Sequence, residues 1–389
     1  MNRRIFSDKP ATLRRQVEAI DRYRDALESV TIVDPACGSG AFLIHALEYL
    51  LRERRRVGLE RERLSQRSLL FDQEEQIREI LSRNIYGVDI NPASIEITRL
   101  ALWLHTARAD RPLCDLDRNV RDGNSLIDPD DFARWDDQML LLPPEDRERI
   151  NPFDWWASFP EVAARGGFDC VVGNPPYVKL QNFKRVLPQV AEFLREARNA
   201  QGAALYESAQ AGNFDVFLPF IEKGIGLLNE HGRMGFIAPS LWLLNDYGAA
   251  LRRFIHEGQH LDRWIDFKSF QVFEEATTYT ALQFFTRSAN PFVRFAIAPD
   301  GALTTNWSDA TWHVPYEELS TGDRTWVFLP KVERRLVQRL QRECRRLDEV
   351  SDIAVGVQTS ADHIYHLKRI RPGLYESSAN RNEVVQLEI

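Results

Sequence analysis

The chain has 389 residues, of which 44% are hydrophobic and 28% charged, and its formal net charge at pH 7 is −7. This length can form one large hydrophobic core or two domains, and the apolar runs are too short and too often interrupted by charge to suggest a membrane span. The four cysteines form no C-x-x-C pair, which argues against a disulfide framework or a zinc site. With no apolar signal segment in MNRRIFSDKPATLRRQ, we expect a cytoplasmic protein. The negative net charge does not favour nucleic-acid binding, although a local basic patch could still bind DNA.

Patterns typical of strands and helices alternate along most of the chain. Short β-branched runs indicate buried strands, and apolar residues at helical spacing indicate amphipathic helices. The predicted elements, in chain order, are a helix over 11–29, a strand at 30–35 followed by a turn and a helix, a strand at 84–90 followed by the helix PASIEITRLALWLHTAR, a strand at 168–176, a helix, turn and strand over 214–240, and the strands LDRWIDF and TALQFFTRS. This alternation favours an α/β fold with a mostly parallel sheet.

Two stretches interrupt the alternation. Residues 52–80 are rich in Arg and Glu, which predicts a solvated helical insert. Residues 128–165 are acidic and rich in Pro and Trp, and we interpret them as a long insert at the rim of the sheet. No set of further ligands supports a metal role for its aspartates, and the histidines form no spaced pair, so no metal is expected.

The segment DPACGSGAFL, residues 34–43, connects a predicted strand to a predicted helix. Gly38 and Gly40 allow the backbone to approach a ligand closely, and the start of the following helix favours an anion. Phe42 and Leu43 stand where a dinucleotide-binding fingerprint would have its third glycine. A small ligand with a carboxylate is therefore favoured over a pyrophosphate, with a plain tight turn as the alternative.

Asp89 ends the second predicted strand, YGVDI. An acidic residue at this position of a nucleotide-binding sheet binds ribose hydroxyls. It follows the glycine turn at more than the usual spacing of roughly 20 residues, and the charged stretch before it can account for the excess. The alternative is that Asp89 only caps the next helix, whose first turn contains Pro92.

The tetrapeptide Asn174-Pro175-Pro176-Tyr177 follows an apolar strand. An exocyclic amine on an aromatic ring is a poor nucleophile, and acceptors for both of its N–H groups would return electron density to the nitrogen. The side-chain carbonyl of Asn174 is one such acceptor, and the carbonyl of Pro175 is a second, held by the fixed φ of proline. The restricted backbone before proline presents Asn174 at a strand tip, and Tyr177 offers a face for base stacking. A Pro-Pro turn alone would explain the prolines but not Asn and Tyr together.

DPACGSGAF, YGVDI, GNSL and NPPY, in this order, resemble the motifs of N6-adenine DNA methyltransferases that use S-adenosylmethionine. The chain is most similar to the methylase part of type IIG restriction–modification proteins and related phage-defence methylases, over residues 30–290. The resemblance implies a Rossmann-like class I methyltransferase fold with helices on both faces of the sheet. It also implies double-stranded DNA as the partner and an adenine that is flipped out of the helix.

The resemblance further implies individual roles. Catalysis is assigned to Asn174, Pro175, Pro176 and Tyr177, and Phe273 in VFEEATTYTALQFF is similar to a second residue that stacks on the target base. Asn124 stands where relatives often have Asp. The implied cofactor-binding residues are Asp34, Ala36, Gly38, Gly40, Asp89, Ile90, Asn124, Ser125 and Phe220.

The expected domains are an N-terminal helical segment over 1–29, a catalytic domain over 30–315, and a linker with the start of a target recognition domain over 316–389. VGVQTSADHIYHL resembles the opening of that last domain, which the chain is too short to complete. The Tyr-Thr-Pro segment that helps relatives to hold the methionine part of the cofactor is absent from residues 1–29. We therefore expect a second polypeptide to complete both parts.

Three other functions are compatible with parts of the sequence. A protein glutamine-N5 methyltransferase uses the same tetrapeptide, but the insert and the recognition-like end favour DNA. A DNA-binding subunit that is inactive without a partner fits the missing segment but not the intact tetrapeptide. The third is a nuclease. The segment most similar to a nuclease motif is Asp266-Phe267-Lys268, which we interpret as the end of a strand.

Overall fold

The structure is a computed structural model in which the chain divides into two compact units, Met1–Lys331 and Val332–Ile389. The residues described are 10–65, 72–104, 115–135, 143–210, 214–273, 279–302, 312–321, 324–345, 349–351, 367–371, 374–377 and 384–386.

The described helices and strands follow the predicted alternation. The α-helices are α1 Pro10–Ser29, α2 Ala41–Ser65, α3 Gln73–Arg83, α4 Pro92–Leu104, α5 Pro129–Trp135, α6 Pro144–Ile150, α7 Trp155–Ser158, α8 Pro160–Ala163, α9 Leu180–Val186, α10 Pro188–Glu196, α11 Phe217–Leu227, α12 Ala249–Gly258 and α13 Lys331–Glu343. The strands are β1 Ile32–Asp34, β2 Ile85–Asp89, β3 Val120–Asp122, β4 Phe168–Gly173, β5 Leu228–Pro239, β6 Leu261–Asp266, β7 Thr280–Thr286, β8 Phe292–Ile297, β9 Trp312–Pro315, β10 Leu367–Arg371, β11 Leu374–Ser377 and β12 Val384–Gln386.

Nine of these strands form one sheet in the order β3-β2-β1-β4-β5-β7-β6-β8-β9. Strands β3, β2, β1, β4 and β5 are parallel to their neighbours. Strand β7 is antiparallel to both β5 and β6, β6 is parallel to β8, and β8 is antiparallel to β9. This mixed α/β sheet, with helices on both sides, confirms the predicted Rossmann-like fold. In the second unit, β10, β11 and β12 form a separate antiparallel sheet, and the assignment of this region to a target recognition domain stays a prediction.

The central strands are buried on both faces because successive side chains point to opposite sides of a strand. Val33 and Val171 belong to the larger hydrophobic cluster, which includes residues of α11 and α12. Ile32, with Cys170 beside it, belongs to a second cluster under α1, α2, α3 and α4. Strands that are apolar on both faces are typical of parallel sheets, which is why VTIVDP and FDCVVG read as continuous apolar runs.

The prediction that residues 52–80 form a solvated helical insert is correct for the helices but wrong in part for the solvation. Helix α2 continues to Ser65 and α3 begins at Gln73, and Arg54 is only 4% exposed. The Arg54 guanidinium donates to Oδ1 of Asn84 at 2.8 Å and to Oε2 of Glu79 at 3.1 Å. The hydrogen bonds of Arg54 therefore connect α2 to the C-terminal end of α3. Ile77 and Ile80 of α3 pack into the hydrophobic core.

The interpretation of residues 128–165 as an insert at the sheet rim is also wrong in part. Phe153, Trp155 and Phe159 are buried in the larger cluster, where the ring of Phe159 lies 5.2 Å from that of Tyr86 on β2 and 5.9 Å from that of Phe168 on β4. Aromatic side chains of this size bury a large apolar area. The segment therefore covers part of one sheet face instead of lying only at the rim.

A search of the described helices for a span of membrane length and apolarity found none.

Candidate active site at the carboxyl edge of the sheet

The predicted site residues meet at one edge of the sheet. Strands β1, β2 and β4 are parallel and end at Asp34, Asp89 and Gly173, so their carboxyl ends, with Asn174 next in the chain, lie on the same side. Ligands of open α/β sheets bind at this edge. The fold thus brings together three sequence motifs that are far apart in the chain.

The glycine turn between β1 and α2 depends on left-handed backbone conformations. Gly38 has φ +54° and Gly40 has φ +84°, values that glycine adopts without strain. A β-carbon on Gly40 would lie 2.7 Å from Cγ2 of Thr98 on α4, whereas one on Gly38 would meet open space. Gly40 therefore permits close packing against α4, and Gly38 leaves room beside the turn for a ligand.

Asp89 joins the glycine turn to the start of α4. Its Oδ2 accepts a hydrogen bond from the N–H of Gly38 at 2.9 Å, and its Oδ1 accepts one from the N–H of Asn91 at 2.9 Å. The side chain that caps α4 is that of Asn91, which accepts from the N–H of Ala93 at 3.0 Å. The alternative in which Asp89 only caps the helix is therefore wrong. Ile90, next to Asp89, is 40% exposed and presents an apolar surface at the same edge.

Asp34 is a buried carboxyl group, only 1% exposed. Its Oδ1 accepts a hydrogen bond from the N–H of Ala36 at 3.0 Å. Burial raises the pKa of Asp34 to about 7 against the effect of that hydrogen bond, and the negative charge of Asp89 raises it further. Two carboxyl groups at one edge create a negative potential that favours a cationic ligand.

The GNSL segment packs against the same turn. The hydroxyl of Ser125 donates to the carbonyl of Pro35 at 2.5 Å, and Oδ1 of Asn124 accepts from the N–H of Leu126 at 3.2 Å. The indole of Trp155 donates to the carbonyl of Ser125 at 3.0 Å. These bonds place the segment beside the predicted cofactor site, and the contacts predicted for Asn124 and Ser125 with the cofactor stay a prediction.

The tetrapeptide after β4 contains an acceptor without a partner. Oδ1 of Asn174 is buried and accepts no hydrogen bond from the part of the chain that the structure describes. Pro175 is buried and Pro176 exposed. Burying an acceptor without a partner costs about 1–3 kcal/mol, and native proteins rarely do so without a reason. The carbonyl of Asn174 is therefore available to a donor that the described residues do not supply.

The two aromatic residues predicted to stack on a target base lie next to each other. The ring of Tyr177 is 6.4 Å from that of Phe273, with the planes inclined at 66°, and its hydroxyl donates to the carbonyl of Ile237 at 3.0 Å. Burial raises the pKa of Tyr177. Phe217, at the start of α11, lies 6.2 Å from Tyr177, and Phe220, further along that helix, is 8% exposed. Tyr177, Phe217 and Phe273 thus form an aromatic cluster that begins three residues after Asn174 in the chain, and the contact predicted for Phe220 with the cofactor stays a prediction.

Sequence reasoning missed three residues of this edge. A β-carbon on Gly173 would lie 2.7 Å from Oδ1 of Asp34. Thr98 is fully buried and its hydroxyl donates to the carbonyl of Gly38 at 2.8 Å. Asn91 caps α4, and its position before Pro92 was the one signal in the sequence that could have identified it. Within the described residues, no group of three or more His, Cys, Asp or Glu side chains could hold a metal ion.

The sheet and its edge define a Rossmann-like methyltransferase fold. Residues 83–273 match the family model described as Eco57I restriction-modification methylase, and residues 3–106 match that of the RMKL-like methyltransferase domain. The resemblance predicted from the motifs is confirmed: the chain is related to the methyltransferases of restriction–modification systems.

Individual relatives agree with these matches. The chain is 30% identical to the type II restriction enzyme and methyltransferase RM.Eco57I of Escherichia coli, over 87% of this chain and 33% of that protein. It is 27% identical to the adenine-specific methyltransferase PglX of Streptomyces coelicolor, over 58% of this chain and 18% of that protein. The chain therefore spans a third or less of the length of these two relatives.

A solved structure with a similar fold is that of the type IIL restriction-modification enzyme MmeI in complex with DNA. The TM-score is 0.50 and the identity 15%, over 82% of this chain and 38% of that one. At this identity the likeness supports the fold alone.

Proposed function

We propose that the chain transfers a methyl group from S-adenosylmethionine to N6 of a flipped adenine in double-stranded DNA, as part of a restriction–modification or phage-defence system. This makes it an adenine-specific, site-specific DNA methyltransferase. The observation that carries the proposal is the buried Oδ1 of Asn174 at the carboxyl edge, which has no hydrogen-bond partner among the described residues. Around it, the tetrapeptide supplies the groups that an aromatic amine needs in order to react.

The residues of the edge fit the proposed cofactor. Open space beside Gly38 and the first turn of α2 suit its carboxylate, and the buried Asp34 suits its ammonium group. Asp89, fixed by its bonds to Gly38 and Asn91, suits the ribose hydroxyls. When bound, S-adenosylmethionine supplies an electrophilic methyl group on a sulfonium.

Asn174 acts on the other reactant. Its carbonyl accepts a hydrogen bond from the N6 amine, which increases the electron density on that nitrogen as the N–C bond forms and the S–C bond breaks. The amine loses a proton after it has been alkylated, so no strong base is required. Tyr177 and Phe273 hold the base, which must leave the duplex because N6 is out of reach within it. As predicted from the sequence, the proposal includes a second polypeptide that completes cofactor binding and target recognition.

A methyl-transfer assay with tritiated S-adenosylmethionine tests the proposal. The assay uses adenine-containing duplex DNA, with the chain alone and with the proteins encoded beside it, and compares Asn174→Ala with Asn182→Ala, which changes an exposed asparagine on α9. We expect label on N6 of adenine, its loss in Asn174→Ala, and little change in Asn182→Ala, with cofactor affinity nearly equal in all three proteins. Label on cytosine or on a protein glutamine would overturn the substrate, and a normal rate with Asn174→Ala would overturn the role of Asn174.

A further inference from the structure

Thr98 lies on the buried side of α4, and its hydroxyl group bonds to the glycine turn and not to its own helix. A threonine inside a helix commonly donates to the carbonyl of the residue four positions before it, and a hydroxyl has one hydrogen to donate. The hydroxyl of Thr98 donates to the carbonyl of Gly38, 60 residues away in the chain, at 2.8 Å. The Thr98 side chain is 0% exposed, so water has little access to its hydroxyl.

Both backbone groups of Gly38 are held by side chains from other elements. Its N–H donates to Oδ2 of Asp89 at the end of β2 at 2.9 Å, and its carbonyl accepts from Thr98 on α4. Each bond fixes one of the two peptide units that meet at Gly38. Glycine has more backbone freedom than any other residue, and the φ of Gly38 is +54°. Asp89 and Thr98 therefore restrict the turn at the residue where it could move most.

The methyl group of Thr98 supports the same turn two residues further along the chain. A β-carbon on Gly40 would lie 2.7 Å from Cγ2 of Thr98 and 3.0 Å from its Oγ1, so the backbone of Gly40 packs directly on this side chain. The N–H of Gly40 donates to the carbonyl of Cys37 at 2.8 Å, which closes the turn before α2. Thr98 thus contacts the turn through both branches of its side chain. Valine at this position would keep the methyl contact and lose the hydrogen bond.

The peptide unit whose carbonyl Thr98 holds has its N–H on Ser39. In a trans peptide unit the C=O and N–H groups point in opposite directions. Because the carbonyl of Gly38 is directed to α4, the N–H of Ser39 is directed away from α4. The hydrogen bonds of the described residues include no acceptor for this N–H, and the space beside Gly38 is open. The N–H of Ser39 is therefore available to an acceptor that the described residues do not supply.

The hydrogen bond from Thr98 also makes the N–H of Ser39 a better donor. Consecutive hydrogen bonds polarise one another, so a donor on the carbonyl of Gly38 increases the positive partial charge on the N–H of the same peptide unit. Helix α2 begins two residues later, at Ala41, and the N–H groups of its first turn add to the positive potential. Backbone donors of this kind form their strongest hydrogen bonds with ionised acceptors such as a carboxylate.

We propose that Thr98 is a positioning residue that orients the N–H of Ser39 toward the carboxylate of S-adenosylmethionine. This inference rests on the proposed function, from which it takes the cofactor. Thr98 acts through the peptide unit between Gly38 and Ser39 and does not itself contact the cofactor. A threonine that only packed α4 against the turn would affect every ligand of the site alike, whereas the proposed role concerns ligands that have the carboxylate.

A comparison of two ligands tests this role. The ligands are S-adenosylhomocysteine and its decarboxylated analogue, which lacks only the carboxylate, and isothermal titration calorimetry on the full chain measures both affinities. In Thr98→Val we expect the affinity for S-adenosylhomocysteine to fall about three- to tenfold, the range for the loss of one hydrogen bond. The affinity for the decarboxylated analogue should change less than about twofold, because the lost bond acts on a group that this ligand does not have. Thr98→Ser restores a hydroxyl and should recover most of the affinity.

Thr280→Val is the matched control. Thr280 is also 0% exposed, and its hydroxyl has no hydrogen-bond partner among the described residues, so this variant should bind both ligands normally. Hydrogen exchange of the peptide that covers residues 34–43, recorded without ligand, gives a second measurement. Exchange should be faster in Thr98→Val than in the unmodified chain and in Thr280→Val, because the turn loses one of the two bonds that hold Gly38. Thermal unfolding is recorded for all variants.

Three outcomes would overturn the role of Thr98 and leave the proposed function standing. These are normal affinity of Thr98→Val for S-adenosylhomocysteine, an equal loss of affinity for both ligands, and unchanged hydrogen exchange of the turn. A different result would contradict the proposed function itself and this inference with it: binding of neither ligand by the unmodified chain, alone or with the proteins encoded beside it.

Discussion

The carboxyl group of Asp34 lies directly against the backbone of Gly173: a β-carbon on that glycine would come within 2.7 Å of Oδ1. The residue that ends β1 and the one that ends β4 are thus in contact. Because Asn174 follows Gly173, the predicted cofactor site and the predicted catalytic tetrapeptide share one point of close packing. Glycine at position 173 is what permits this contact.

Gly173→Ala should therefore damage the site more than the core. The added methyl group pushes the buried Asp34 away from its bond with Ala36, and we expect affinity for S-adenosylmethionine to fall at least about tenfold, or 1.4 kcal/mol. Overpacking should lower the free energy of unfolding by about 1–3 kcal/mol. Isothermal titration calorimetry and urea unfolding measure the two effects.

The control is Gly226→Ala on α11, where an added β-carbon meets no atom within 4 Å. Alanine favours a helix over glycine by about 1 kcal/mol, so stability should hold or rise and cofactor affinity should not change. Equal affinity in the Gly173→Ala protein would show that the contact with Asp34 is not needed for binding.

Asp89→Ala should weaken cofactor binding by about 1.5–3 kcal/mol, the range for charged hydrogen bonds. The variant loses the acceptor for the ribose hydroxyls and also the bond that holds Gly38. Calorimetry with S-adenosylmethionine measures the loss, and Asp130→Ala, an exposed aspartate on α5, is the control. Unchanged affinity in Asp89→Ala would remove this residue from the site.

Cofactor binding should depend on pH through Asp34, whose pKa is about 7 in the folded chain. The ionised form attracts the ammonium group of the cofactor, so affinity should rise between pH 6 and pH 8 and level off above. Asp34→Asn keeps the shape of the side chain and should remove most of this rise. A pH profile of affinity that is the same in both proteins would contradict this role.

The stability of the chain without cofactor should change in the opposite direction. The pKa of Asp34 rises from 3.8 to about 7 on folding, and burial raises that of Glu222 to about 7 as well. The folded state then binds more protons than the unfolded state between these values, so the free energy of unfolding falls as pH rises from about 4 to 7. Urea unfolding at pH 5 and pH 8 should show the fall, and Asp34→Asn should reduce it. If the free energy of unfolding falls with pH as steeply in Asp34→Asn as in the unmodified chain, other groups cause the fall.

Tyr177→Phe and Tyr177→Ala should separate two roles of one side chain. Phenylalanine keeps the ring but loses the bond to the carbonyl of Ile237, so we expect about 1 kcal/mol less stability and methyl transfer within a few-fold of normal. Alanine removes the stacking surface and should lower transfer much further.

Phe273→Ala should resemble Tyr177→Ala, because the two rings lie 6.4 Å apart. Phe270→Ala alters a ring that is 39% exposed in the same segment and serves as the control. Fluorescence of 2-aminopurine in place of the target adenine reports whether the base is still retained outside the duplex. Normal retention in Phe273→Ala would exclude it from the stacking site.

The positions of the glycine turn and of the tetrapeptide at the carboxyl ends of strands could be predicted from the sequence, because each motif consists of a few consecutive residues. Gly38 and Gly40 lie in a turn between a strand and a helix, as predicted, and the structure adds that their backbone is left-handed; the tetrapeptide follows a strand, as predicted. Contacts between distant segments were not predictable: nothing near Gly173 in the sequence indicates that Asp34 packs against it.

The prediction that residues 52–80 are solvated failed in part because it, too, depended on contacts between distant segments. Arg54 looks like a surface residue among its neighbours, yet its partner Asn84 is 30 residues away. Phe153 and Trp155 lie in a segment of acidic and proline-rich composition, and the space that they fill exists only once β2 and β4 are paired with β1. Composition describes a segment, whereas burial depends on what the fold places beside it.

The carbonyl of Asn174, for which the described part of the chain offers no donor, also bears on how a reaction cycle would end. An unmodified N6 amine has two hydrogens and can donate to Asn174 and to a second acceptor together. After one methyl transfer the neutral amine has a single N–H, so one of the two acceptors is left empty again. The site would therefore hold its product less tightly than its substrate, and the same geometry that activates the amine would assist release of the methylated base and disfavour a second transfer.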